Sequence, residues 1–196
     1  MATVVVPFRS GGKSRLPAAV RVDLALAMLG DVLEAAAADA APVRLVTDDA
    51  AAVEIAAGLG VEVIADPGGG QGAAVQAGLA GVDGACLVVN ADLPCATPAA
   101  LGRLAALTPA LVAAADGTTN ALALPEPAWF RPFYGSGSAT RFAALGLVPA
   151  SIPELQHDVD TLPDLLELHD LERLTLPLGR RTDLVLNQHK VAARTA

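Results

Sequence analysis

The sequence predicts an α/β domain with a largely parallel sheet. Short β-branched runs alternate with longer alanine-leucine segments at helical spacing, which is the pattern of strands joined by crossover helices. The chain has 196 residues, 53% of them hydrophobic, and a chain of that length can bury roughly 70% of its unfolded surface in one core. Only 3% of residues are aromatic, so the core must be built from Val, Leu and Ala, and such small side chains let helices lie close to a sheet. One domain spanning residues 1–196 is expected.

Taken in order, strands are expected near 3–8, 43–47, 61–65, 85–90, 110–115 and 120–124. Helical patterns fall near 18–39, 50–58, 71–81 and 98–107, with Asp49 and Thr97 placed to cap the second and fourth. Residues 125–137, with Pro125, Pro127, Pro132 and two glycines, read as a loop, and helical spacing returns at 138–146 and 162–174. No repeat, linker or low-complexity block divides the chain. The tail, residues 176–196 with Arg180, Lys190 and Arg194, is expected as a peripheral C-terminal arm.

Composition excludes several classes. A net charge of -8 leaves no general surface for nucleic-acid phosphates. No apolar run approaches the roughly 20 residues of a membrane span, and MATVVVPFRS has neither a positive leader nor a cleavage site, so a cytoplasmic protein is expected. Cys86 and Cys95 form neither a disulfide framework nor a zinc pattern. The apolar surface that so alanine-rich a chain leaves exposed is compatible with a homodimer.

In an open α/β sheet, ligands bind beyond the carboxyl ends of the strands. Four segments there are unusual. PFRSGGKSRL (7–16) concentrates Arg9, Lys13 and Arg15 around Gly11 and Gly12, a pattern that suits a phosphate but matches neither a P-loop nor a dinucleotide fingerprint. A solvated turn is the bland alternative. DPGGGQGAAVQAGL (66–79) opens a helix with Gly68, Gly69, Gly70 and Gly72, on whose flat surface a nucleobase could pack; a flexible connection is the rival reading. In ACLVVNADLPCATP the apolar strand ends before Asp92, and Pro94 stops it from continuing. HDVDT (157–161) sets Asp158 and Asp160 two apart with no nearby cation, so an extended chain points both to one face. If Asp92 joins them, the oxygen-rich cluster would select magnesium or manganese; taken alone, the pair reads as solvated loop residues, one of them capping the helix that follows.

The ordered set KSRL (13–16), VTDD (46–49), GGGQGAA (68–74), ADLP (91–94), GTTNAL (117–122), YGSGSATRF (134–142) and DVDT (158–161) resembles the 2-phospho-L-lactate or phosphoenolpyruvate guanylyltransferases of coenzyme F420 biosynthesis. The resemblance implies a single three-layer Rossmann-like nucleotidyltransferase domain that joins GTP to a small phosphorylated carboxylic acid and releases pyrophosphate. It implies Mg²⁺ held by Asp92, Asp158 and Asp160. It puts the triphosphate on Arg9, Gly11, Gly12, Lys13 and Arg15, with Lys13 and Arg15 stabilising the leaving pyrophosphate, and the guanine near Gly69, Gly70 and Gly72. The acid would lie near Thr119, Asn120, Gly135 and Ser138, with Arg141 as a further cation. Arg9 stands where the family carries lysine, which differs in hydrogen-bond geometry, and GSGS replaces a segment with a proline and an acid. Two rival readings share the pocket: a molybdopterin or sugar-phosphate nucleotidyltransferase, and a nucleotide-binding regulatory domain without turnover.

Overall fold

The computed structural model describes residues 1–9, 16, 18–161, 163–164 and 176–195. Its elements run β1 (Thr3–Pro7), α1 (Ala18–Ala37), β2 (Val43–Val46), α2 (Ala50–Leu59), β3 (Glu62–Ile64), α3 (Gln71–Leu79), β4 (Cys86–Val89), α4 (Pro98–Ala106), β5 (Ala110–Ala113) and β6 (Thr119–Leu124). A 3₁₀ turn at Pro127–Trp129, α5 (Ser138–Ala144), β7 (Val148–Pro149), α6 (Pro153–Gln156) and α7 (Arg180–Thr195) follow.

The strands form one seven-stranded sheet in the order β3-β2-β1-β4-β6-β5-β7. Only β6 runs against the rest, pairing antiparallel with both β4 and β5. The segment 114–118 is too short for a crossover, so β5 and β6 can pair only as a hairpin. Gly117 at φ 81° and the Asp116 carboxylate, which accepts from Thr118 N at 2.8 Å, make that turn. The two-residue β7 pairs parallel with β5 and was too short to leave an alternating pattern in the sequence.

Alternation along the strands divides the core into two layers of packing. Val4 and Val6 of β1, Leu87 and Val89 of β4, and Ala121 and Ala123 of β6 meet α1, α2, α4 and α6. Val5, Val88, Leu122 and Leu124 face the other way, onto α3, α5 and Phe130. Helices on both faces make three layers, as expected. Gly78 lets α3 lie on the sheet, because a Cβ there would run into Val5 and fall 2.8 Å from Val46 Cγ2.

Helix starts follow local chemistry. Asp49 accepts from Ala51 N and Ala52 N at the head of α2, and Thr97 accepts from Ala100 N at the head of α4, with Pro98 just inside. The helical pattern at 162–174 lies, apart from Pro163 and Asp164, outside the described residues. Residues 176–195, expected as a peripheral arm, pack against α1 through Leu178, Val185 and Leu186 and are tied to it by Asp31, which accepts from Arg181 N and Thr182 N at 2.9 Å each. Among the described residues, no helix is long and apolar enough to cross a membrane.

Candidate functional site

The loops at the carboxyl edge of the sheet bring Asp92, Asp158 and Asp160 together, each offering one oxygen within 4.8 Å of the others. The convergence has a local cause. Val159 is fully buried, and its N–H donates to Asp92 O at 3.1 Å, so the residue between the acidic pair is pinned inward and the pair flanks it. Thr161 and Asp164 cap the next turn reciprocally: Asp164 accepts from Asp160 N at 2.9 Å and Thr161 N at 2.7 Å, while Thr161 Oγ1 accepts from Asp164 N. Burial first, then the Asp92 charge and more weakly that of Asp160, push the Asp158 carboxyl above its ordinary range, against a hydrogen bond from Asn120 Nδ2 at 3.3 Å. Asn120 Oδ1 is buried with no hydrogen-bond partner among the described residues.

These features fit a hard divalent cation. The donors are carboxylate oxygens, with no histidine or thiolate in the cluster. Crowding raises the cost of ionising Asp158, and a cation would remove that cost. Their spacing leaves room for an ion that retains waters, as small hard cations do.

The cluster borders a cleft of about 360 Å³ that also touches Arg9, Asp66, Gln71, Thr119, Tyr134 and Gly135. On the β6 side, Thr119 Oγ1 and Ser138 Oγ are 2.9 Å apart and both residues are buried. Thr119 and Gly135 line the cleft; Ser138 lies behind Thr119 and holds it. Arg141 is directed elsewhere: its exposed guanidinium donates to Ser136 O and Phe133 O at 2.8 Å each, bracing the loop. Tyr134 packs at a tilt against Phe130 and edge-on to Phe142, and burial pushes its phenol upward.

On the β1 side, Arg9 Nε donates to Asp66 Oδ2. Asp66 Oδ1 accepts from Gly68 N at 2.9 Å, and its own N–H donates to Asp48 Oδ1 at 3.1 Å. The guanidinium holds the Asp66 carboxyl below its usual range, overcoming the opposing effect of burial. Arg9, expected on a triphosphate, thus borders the cleft while engaged by a carboxylate. Gly11, Gly12, Lys13 and Arg15 lie outside the described residues.

Gly69 and Gly70 have φ of 83° and 92°, a backbone that side chains avoid, and they shape the entry to α3. Gly72 packs on the proline loop, where a Cβ would fall 2.6 Å from Pro132 Cβ. The cleft wall at this helix is Gln71 and Ala74 instead. Gln71 Nε2 donates to Asn90 Oδ1 at 2.7 Å, and Asn90 Nδ2 donates to Thr119 O at 3.1 Å, so one chain of hydrogen bonds crosses from one half to the other. Asp66, Gln71 and Asn90 were not among the expected site residues. Asp66 and Asn90 each follow a strand, so the rule that singled out Asp92 would have found them too.

The profile of the MobA-like NTP transferase domain matches residues 12–146. A phosphoenolpyruvate guanylyltransferase of Streptomyces coelicolor is 36% identical over 98% of this chain and 99% of its own length. Phosphoenolpyruvate guanylyltransferase 2 of Rhodococcus jostii is 35% identical over 93% of this chain and 89% of its own. A solved nucleotidyl transferase from Methanothermobacter thermautotroptrophicus, 21% identical, superposes with a TM-score of 0.64 over 87% of this chain and 97% of that one, which speaks for the fold alone. With relatives matched at this identity over nearly their whole length, the chain belongs to the phosphoenolpyruvate guanylyltransferase family, within the MobA-like NTP transferases.

Proposed function

We propose that this protein transfers GMP from GTP to the phosphate of phosphoenolpyruvate, or of a closely similar acid such as 2-phospho-L-lactate, and releases pyrophosphate, as a cytoplasmic step in coenzyme F420 assembly. The observation that carries the reading is the meeting of Asp92, Asp158 and Asp160 at the edge of the cleft, in a chain so similar to named guanylyltransferases.

The chemistry asks for positioning more than for a base. A phosphate monoester has its second pKa near ~6, so the acceptor is already a dianion at neutral pH. One of its oxygens forms a bond to the α-phosphorus of GTP as the bond from that phosphorus to the bridging oxygen breaks, and the electron pair leaves with pyrophosphate. Bound at Asp92, Asp158 and Asp160, Mg²⁺ would neutralise charge between two polyanions in a protein whose own net charge is -8. Thr119, Asn120 and Gly135 hold the acid in this reading, with Ser138 fixing the Thr119 hydroxyl. Lys13 and Arg15 receive the leaving pyrophosphate, Arg9 with Gly11 and Gly12 borders the triphosphate, and the guanine lies by the turn at Gly69, Gly70 and Gly72. Arg141 acts through the loop it braces.

The test incubates purified protein with Mg²⁺, each nucleoside triphosphate and a panel of phosphoenolpyruvate, 2-phospho-L-lactate and 3-phosphoglycerate, and measures pyrophosphate. Release with GTP and one of the first two acids is expected. Release only with 3-phosphoglycerate, or none with any of the three acids, overturns the assignment.

A further inference from the structure

One buried carboxylate on α1 stands apart from the cleft. Asp31 is 6% exposed; its Oδ1 accepts from Arg181 N at 2.9 Å, and its Oδ2 accepts from Thr182 N at 2.9 Å and Thr182 Oγ1 at 2.7 Å. A helix is usually capped by the residue just before it. Here the first turn of α7 is capped by another helix, 150 residues earlier in the chain. The fit is tight: Gly179, at the entry to α7, has no room for a Cβ beside Asp31, and Thr182 is fully buried.

From this clamp a hydrogen-bonded path leads to the acidic cluster. Gly179 N donates to Pro94 O at 2.7 Å, in the loop that carries Asp92. The same loop accepts Val159 N on Asp92 O, between Asp158 and Asp160. A small apolar core joins the same parts, with Cys95 and Val159 packed against Met28 of α1 and Leu178 and Leu186 from the C-terminal segment. Three carboxylates held close repel one another, so their spacing has to be imposed by the backbone that carries them.

We propose that Asp31 and Thr182 form a positioning clamp through which α7 fixes the Asp92 loop against the Asp158–Asp160 segment, so that the three carboxylates face a common divalent cation. The inference rests on reading that cluster as the metal site. Asp31 and Thr182 touch no substrate; they act through Gly179, Pro94 and Val159.

Mn²⁺ binding to the nucleotide-free protein, followed by electron paramagnetic resonance, tests this together with the Mg²⁺ dependence of pyrophosphate release. Thr182→Val keeps the side-chain shape and removes the donor; Thr182→Ser keeps the donor; Asp31→Asn serves if the valine variant does not fold. Asp49→Ala, which uncaps α2 far from this path, is the control for a general loss of stability. Thr182→Val is expected to weaken Mn²⁺ binding roughly tenfold, as loss of groups that orient metal ligands commonly does, and to raise the Mg²⁺ midpoint by a similar factor. KM for GTP at saturating Mg²⁺ should hold, Thr182→Ser should restore the wild-type values, and Asp49→Ala should lower Tm alone. Wild-type Mn²⁺ affinity in Thr182→Val and Asp31→Asn, with Tm lowered as in Asp49→Ala, overturns the clamp. Undiminished Mn²⁺ binding in Asp160→Asn would instead show that the ion sits elsewhere, removing the metal site and this inference with it.

Discussion

On the β1 side of the cleft, polar groups are held by charge: Arg9, 52% exposed at its side chain, pairs with Asp66, which also receives the backbone of the glycine turn. The β6 side is held by neutral hydrogen bonds in the interior, where Thr119 and Ser138 share one hydroxyl contact and Asn120 supports Asp158. The Arg9 end of that pair is screened by solvent although Asp66 is buried, whereas on the β6 side both hydroxyl partners are buried and losing either is costly. In the proposed reading the first half receives a long flexible polyanion and the second a small acid, on a shape held by buried hydrogen bonds. Asp92, Asp158 and Asp160 lie where the two halves meet.

The largest effect should come from that junction. Asp92→Asn and Asp160→Asn are each expected to lower turnover about 1000-fold, since several kcal/mol of barrier are at stake and ~1.4 kcal/mol is tenfold. Circular dichroism should stay native, and Mg²⁺ should raise the wild-type Tm but not that of the variants. Turnover within tenfold of wild type would separate the junction from the chemistry.

Next is the interior half. Ser138→Val leaves the Thr119 hydroxyl without its partner and should cost about 1–3 kcal/mol in urea unfolding. KM for the acid should rise while KM for GTP holds; an equal rise in both would erase the division of labour between the halves.

Gly72→Ala tests the bridge between them, because its Cβ would press on Pro132. Overpacking there should cost about 1 kcal/mol. Both KM values should shift modestly, as the proline loop and the start of α3 border opposite sides. Wild-type melting would mean that the loop yields freely.

The smallest effect belongs to the β1 half. Asp66 has its carboxyl held low by Arg9, so its stabilising effect is complete above about pH 5 and is lost as pH falls through the depressed value in the folded protein. Asp66→Asn should lower Tm at neutral pH by that contribution and so flatten the acid limb of stability, read as Tm from pH 6 to pH 3, with the two proteins converging at the acid end. A full wild-type acid limb in the variant would put that pH dependence on other carboxylates.

Much of this architecture is legible in the sequence because it is local. Asp49 and Thr97 announce their helices by capping chemistry, and the alternation of Val4, Val5 and Val6 between two faces is that of a strand buried on both sides. Asp158 and Asp160 could be seen as a pair, and Asp92 as the end of a strand. Other features depend on partners distant in the chain. Nothing near Arg9 reveals that Asp66 engages it 57 residues later, and Arg141, in a segment rich in candidate ligands, spends its guanidinium on Phe133 and Ser136 carbonyls. β7 escaped notice because two residues cannot display a period.

The reversal of β6 has a consequence for how specificity can evolve. Elsewhere in the sheet a strand delivers its last residues to the cleft and hands over to a loop that can lengthen or shorten without disturbing the layers. β6 arrives with its first residues: Thr119 pairs with Ala113 of β5 beside a register shift, and Asn120 O accepts from Asn90 N at 3.0 Å. On the proposed assignment of the acid to this strand, a change of acceptor is confined to exchanging side chains of similar bulk on paired backbone, while the opposite rim stays open to insertion and deletion.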